Sequence, residues 1–306
     1  MIISTRNKAV ILDTNIAVIE AGIAVHSTAN AYSTYAVVQI NGVTHRKYKA
    51  VQDVPIGVDP LVDVDPTTGR GTYWWDDGAT NYGRAFDELG SSKCENADFI
   101  YYKFSTSDID VLMLGGLRAA TVRVKIVNLD TTLPVIDQTY DTLEREVFDW
   151  FDWSYETPEY HSNFYKLLPL VFNATLEIWI DNPTNTASVG HIAYGRSKSY
   201  GLSLIDPKPV ISRRGITSKK RNSDGNIVTR RKARYRRMKI TCLIDSEHTD
   251  LIEDRLETIV DTPCIFVGDE REGGYKSLLI YGEMKDHDMP ISVTKTTYQL
   301  EVEGYI

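Results

Sequence analysis

Cysteine is scarce in this chain: three thiols in 306 residues, Cys94, Cys242 and Cys264, odd in number and far apart. That excludes a disulfide framework and a zinc site built on paired, closely spaced ligands. Cys242 and Cys264 lie in apolar strand-like runs and read as small buried hydrophobes, with a reducing compartment as the default for folding. Long apolar runs are missing too. The most apolar early stretch, Ile16–Val25, is ten residues long and contains Glu20, against about 20 for a spanning helix. The chain opens without a basic segment, apolar core and cleavage site, so nothing points to Sec export. Catalytic signatures are absent as well: no G-x-S-x-G elbow, phosphate-binding G-x-x-x-x-G-K-[ST] loop or H-E-x-x-H helix occurs.

The six histidines are scattered singly. Asp286-His287-Asp288 is the nearest charged cluster with a titratable centre, but neighbouring strand residues point to opposite faces and do not converge on one substrate. Asp63-Val64-Asp65 and Asp76-Asp77 offer oxygen ligands without the twelve-residue calcium-loop pattern, so solvated loop acids are the favoured reading. Asp149, Asp152, Glu156 and Glu159 lie near aromatics, as glycoside cleavage would require, yet their separation is not readable from sequence. The sequence therefore predicts no enzyme, no catalytic residue, no metal and no cofactor.

What the chain has is a division of charge. Between Arg213 and Lys239 stand twelve Lys or Arg residues and one acid, Asp224, leaving 22 basic and 41 acidic residues elsewhere, a formal balance of −19. Asn222-Ser223-Asp224-Gly225-Asn226 supplies a turn in the middle, so the stretch reads as a hairpin arm over 213–239. Such an arm beside an acidic body suits docking onto neighbouring copies, with Arg213, Arg214, Arg230, Arg231, Lys232, Arg234, Arg236 and Arg237 as subunit-contact residues. A solvated hairpin is the bland alternative. Nucleic-acid binding is disfavoured, because aromatic interleaving stops at Tyr235 and no nucleic-acid motif accompanies the charges.

Short alternating segments bounded by Gly, Pro, Asn and Asp recur throughout. Tyr35–Ile40 followed by Asn41-Gly42 predicts a two-residue hairpin turn; 121–126, 175–180 and 298–303 predict half-buried strands. One helix is expected over 246–260: Ser246 as N-cap, Leu251, Ile252, Leu256, Ile259 and Val260 on one face, and Pro263 as the stop. The fold class is mainly β. Punctuation divides it into an N-terminal β region with an irregular connector (1–85), a β-sandwich (86–205) and a C-terminal α+β assembly domain (206–306).

Residues 148–165 hold eight aromatics: Phe148, Trp150, Phe151, Trp153, Tyr155, Tyr160, Phe164 and Tyr165. Core filling plus a subunit contact is the favoured reading. The alternative is a glycan-stacking platform led by Trp150 and Trp153.

Some of these segments resemble a known family. The run Tyr73-Trp74-Trp75-Asp76-Asp77-Gly78-Ala79-Thr80-Asn81-Tyr82-Gly83-Arg84-Ala85-Phe86-Asp87 resembles the lead into a jelly-roll domain of tailed-bacteriophage tail proteins. Ala187–Gly195 looks like its closing glycine-rich strand, with Gly201 in the next turn. Val267-Gly268-Asp269, Leu279-Ile280-Tyr281-Gly282 and Leu300-Glu301-Val302-Glu303-Gly304 follow in the family's order. The resemblance covers about residues 70–306 and departs at Ala85, where Met is common, and in the basic density of the arm. It implies a jelly-roll middle domain similar to carbohydrate-binding modules and a virion structural role at the tail tip or baseplate. The implied partners are further copies of the chain in a ring such as a hexamer, the tail tube and baseplate hub proteins, and, in the alternative reading, a host surface glycan. The implied location is the virion, after synthesis in the host cytoplasm.

Overall fold

The computed structural model describes residues 1–305 apart from 43, 90–91, 145–148, 156–158, 222–226, 270 and 272–274. The chain is mainly β, 56% strand and 10% helical, in several antiparallel sheets. The first two strands leave their sequence neighbours. β1 (Ile2–Thr5) pairs with residues 197–199 and 264–267, and β2 (Val10–Thr14) pairs with residues 102–105. The expected N-terminal unit of 1–85 therefore loses its first fourteen residues to the other two. Burial is the reason: Met1 and Ile3 belong to the C-terminal core, and the Met1 amino group donates to the Gly201 carbonyl.

The remaining N-terminal strands, β3 (Ala24–Val25), β4 (Val37–Ile40) and β5 (Arg46–Ala50), continue after the short helix α1 (Pro60–Asp63) into β6 (Trp74–Ala79). They form a four-stranded sheet around fully buried Trp74. Ile40 pairs with Arg46, so residues 41–45 connect β4 to β5 in place of the predicted two-residue turn. Positive φ falls at Gly42 and His45 (100° and 47°). The connector expected to be irregular thus contributes both α1 and β6. Asp63 makes this possible: its carboxylate accepts the amides of Thr72, Tyr73 and Trp74 at 3.2, 2.9 and 2.9 Å, folding the loop back over the core.

The middle unit runs from β7 (Cys94–Gly115) through β8 (Thr121–Asn128), β9 (Pro134–Asp141), β10 (Leu143–Glu144), α2 (Trp150–Tyr155) and β11 (Glu159–Tyr160) to β12 (Asn163–Val189) and β13 (His191–Gly195). Its main sheet has the order β13-β7-β12-β8-β9, with β2 also on β7. β7 and β12 are 22 and 27 residues long, against about 5–6 for an ordinary strand. Register shifts between Leu167 and Val171 and between Asp181 and Thr186 interrupt the ladder; such irregularities bend and twist a strand. The strands enclose one core, to which Val122, Val124, Ile126, Leu176, Ile178 and Ile180 contribute with the expected period of two.

The C-terminal unit begins at β14 (Ser197–Ser199), not at 206, and continues through β15 (Leu202–Ser203), β16 (Val210–Arg221), β17 (Ile227–Asp245), α3 (Thr249–Ile259), β18 (Cys264–Val267), β19 (Leu279–Asp288) and β20 (Lys295–Gly304). The sheet order is β14-β1-β18-β19-β20-β17-β15, with β16 on β17. Helix α3 buries Thr249, Ile252, Leu256 and Ile259. Leu251 and Val260, expected on that face, are exposed; Leu251 is one position, about 100°, off the Ile252–Leu256–Ile259 stripe, and Val260 lies past the end of the helix, where its ψ of 135° has left the helical range. Ser246 opens a 3-10 turn ahead of α3, and its hydroxyl meets Thr296 Oγ1 at 3.2 Å without capping the helix.

All three cysteines are buried. Burial pushes the Cys264 thiol up to about 12 and the Cys94 thiol to about 11. The middle and C-terminal units meet in an apolar seam, Val111, Met113 and Ala193 against Ile265, Val267 and Tyr281. Among the described residues no helix is long and apolar enough to cross a membrane.

Candidate assembly surface

The basic arm is a two-stranded ribbon that outgrows its sheet. From Arg237 to Asp245, β17 pairs with β20. From Ile227 to Arg236 that edge of β17 has no strand beside it among the described residues, while β16 lines the other edge from Val210↔Lys239 to Arg221↔Ile227. At about 3.3 Å per residue the ribbon reaches roughly 30 Å past the sheet. A register shift between Gly215 and Thr217 adds local twist. The turn predicted at 222–226 lies outside the described residues.

The predicted contact residues divide into groups. Arg213 and Arg214 are exposed at the ribbon root, paired in register with Arg236 and Tyr235. Arg236 is half-buried, and its guanidinium is held below the usual arginine range by burial and then by Arg213. Arg237 is different. It forms an ion pair with Glu301, whose second oxygen lies 2.7 Å from Lys239 Nζ. Arg237 therefore fastens the ribbon to β20 and is not part of a free contact surface. The same pairing explains why Glu301, on the polar face of the strand predicted over 298–303, is only 7% exposed. Arg230, Arg231, Lys232 and Arg234 are on the ribbon strand, but their side chains lie outside the described residues.

The aromatic cluster splits in two. Phe164 enters the middle core against Tyr140, at 5.3 Å between ring centroids, and Tyr160 lies under the Arg118 guanidinium. Helix α2 instead carries its rings outward. Trp150 and Trp153, 78% and 55% exposed, stack on each other at 5.1 Å and 19°, and Phe151 pairs with Tyr155 beside them. Asp149 Oδ1 accepts the Phe151 amide at 2.8 Å and starts this short helix. Phe148, like Glu156 and the side chain of Asp152, lies outside the described residues.

The sequence's acidic candidates are engaged elsewhere. Asp63 holds loop amides, and Asp76 Oδ2 pairs with Arg46 at 2.7 Å. His287 Nε2 lies 3.1 Å from Glu253 on α3. Among the described residues no three His, Cys, Asp or Glu side chains gather as a metal site.

Two adjoining cavities open where the ribbon root meets the middle unit, about 670 and 350 Å³ in volume. Sequence reading missed them, because Lys93, Asn163 and His191 reach the smaller one from three distant stretches and carry no shared local signal. No family model, curated protein or solved structure matches the chain.

Proposed function

We propose that the chain is a non-enzymatic assembly subunit, a structural component of a bacteriophage tail tip or baseplate whose ring joins the tail tube to distal baseplate proteins. The observation that carries the assembly reading is the basic ribbon, whose β17 edge has no strand beside it among the described residues, projecting from a body of formal charge −19. An exposed strand edge pairs readily with another chain, and a ring closes such edges off. Opposite charge on arm and body steers copies together and suppresses wrong registers. The phage assignment rests on the ordered sequence resemblance alone.

Sedimentation of the full chain tests the assembly reading. A discrete oligomer is expected at about 50 mM salt, weakened at about 500 mM as screening shortens the reach of the charges. A variant with residues 215–234 replaced by an Asn-Gly turn is expected to stay monomeric. A monomeric full chain across concentrations, with no binding to tail components, overturns it. Labelling of native particles with an antibody to the chain tests the location, expected at the tail tip.

A second reading, a receptor- or carbohydrate-binding tail module, is favoured by one observation: the exposed Trp150–Trp153 stack leaves indole surface open to pyranose rings. Glycan-array binding lost in the Trp150→Ala, Trp153→Ala variant supports it; unchanged or absent binding removes it.

A further inference from the structure

The ladder register sets Arg213 directly opposite Arg236 at the root of the ribbon. Like charges in facing ladder positions destabilise a strand pair unless something neutralises them. Both residues line the 350 Å³ cavity, and Lys93 enters it from the segment before β7. Among the described residues none of these three cations has an ion-pair partner, and no carboxylate lines the cavity. The remaining lining is rich in neutral hydrogen-bonding groups, Ser162, Asn163, Tyr235 and Tyr305 among them. His191, 6% exposed, also lines it, with an Nδ1 that has no hydrogen-bond partner. Glu283 Oε2 lies 3.4 Å from the hydroxyl of the lining residue Tyr305 without lining the cavity itself; Asp141 and Asp269 line the larger neighbouring cavity, where Asp269 already holds Arg271 at 2.8 Å.

We propose that this cleft is an oxyanion site that takes phosphate, free or as the phosphoryl end of a larger molecule, through Arg213, Arg236 and Lys93. A dianion answers three cations better than a single carboxylate, and its several acceptor oxygens suit donors arriving from different sides. The volume admits a small tetrahedral ion or a phosphoryl group; a nucleic-acid duplex is too large. The depressed guanidinium of Arg236 agrees with a site whose positive charges are crowded and unanswered. Because the lining comes from the ribbon, from β12 and β13 and from Tyr305 just after β20, an ion held there ties the root of the arm to both units. This inference does not depend on self-assembly: a chain that stays monomeric can still bind the ion.

The test is calorimetric titration of the full chain with inorganic phosphate and, separately, with phosphoserine, chloride being used to hold ionic strength constant. Saturable binding of one phosphate per chain is expected, weakened about tenfold in K93Q and in R236Q, as removal of a charge-assisted contact implies. Lys93 lies outside every strand, so K93Q decides the question if R236Q fails to fold. Phosphoserine binding as tightly as phosphate identifies a phosphoryl-end site; phosphate binding alone identifies a free-ion site. No saturable heat beyond that of chloride, or unchanged affinity in K93Q, overturns the proposal.

Discussion

Lys103 Nζ lies 2.9 Å from Glu177 Oε1, its direct partner across the ladder of β7 and β12. Lys125, opposite Glu177 on the other side in β8, approaches the second oxygen at 3.6 Å. In the C-terminal sheet Glu301 likewise holds two cations, Arg237 and Lys239, though both come from one neighbouring strand, β17. In both sheets one nearly buried carboxylate holds two cations together.

Replacing Glu177 by Gln leaves Lys103 and Lys125 flanking a neutral group. A stability loss of about 1–3 kcal/mol is expected in urea unfolding, partly recovered at high salt as the lysines are screened. An unchanged midpoint would show that the pair contributes nothing.

Gly282 and Gly304 face each other across β19 and β20, and a Cβ at Gly282 would overlap the Glu303 carbonyl. Backbone cannot step aside as a flexible side chain can. Gly282→Ala is expected to cost about 2–4 kcal/mol, measured against exposed Thr297→Ala as the control.

His191 is held down to about 4, first by burial and then by Arg6 and Lys93. In the unfolded chain it titrates near 6.5. Between these values the unfolded state takes a proton that the folded state refuses, so stability falls as pH drops from about 6.5 toward 4. The loss reaches about 3 kcal/mol. Thermal unfolding across this range should show the decline, and His191→Gln should flatten it.

Trp74 and the α2 tryptophans separate packing from surface. Trp74 is 0% exposed in the small N-terminal core, so Trp74→Ala should lower stability by about 3–5 kcal/mol. Trp150→Ala should stay within about 0.5 kcal/mol of the parent. A large loss at Trp150 would show that its ring is structural.

Strand periodicity was legible where one face is buried. Val122, Val124 and Ile126 alternate in the sequence because one side of β8 meets the core. The basic hairpin was legible from its central turn residues and its charge, and the ladder from Val210↔Lys239 to Arg221↔Ile227 follows that reading. Alternation failed at Glu301, where an ion pair overrides solvent exposure. The α3 face was drawn too wide, because Leu251 and Val260 are apolar yet lie off the stripe that packs.

By itself the sequence determined the β character, the position of the arm and the segregation of charge, because period, turn chemistry and charge are local properties of the chain. Tertiary structure alone decided that β1 joins the C-terminal sheet and β2 the middle one, that Arg237 turns inward to Glu301, and that Arg213, Arg236 and Lys93 share one cleft. Those outcomes depend on contacts between residues as far apart in sequence as Ile2 and Val267, and no local pattern encodes which distant surfaces bury each other.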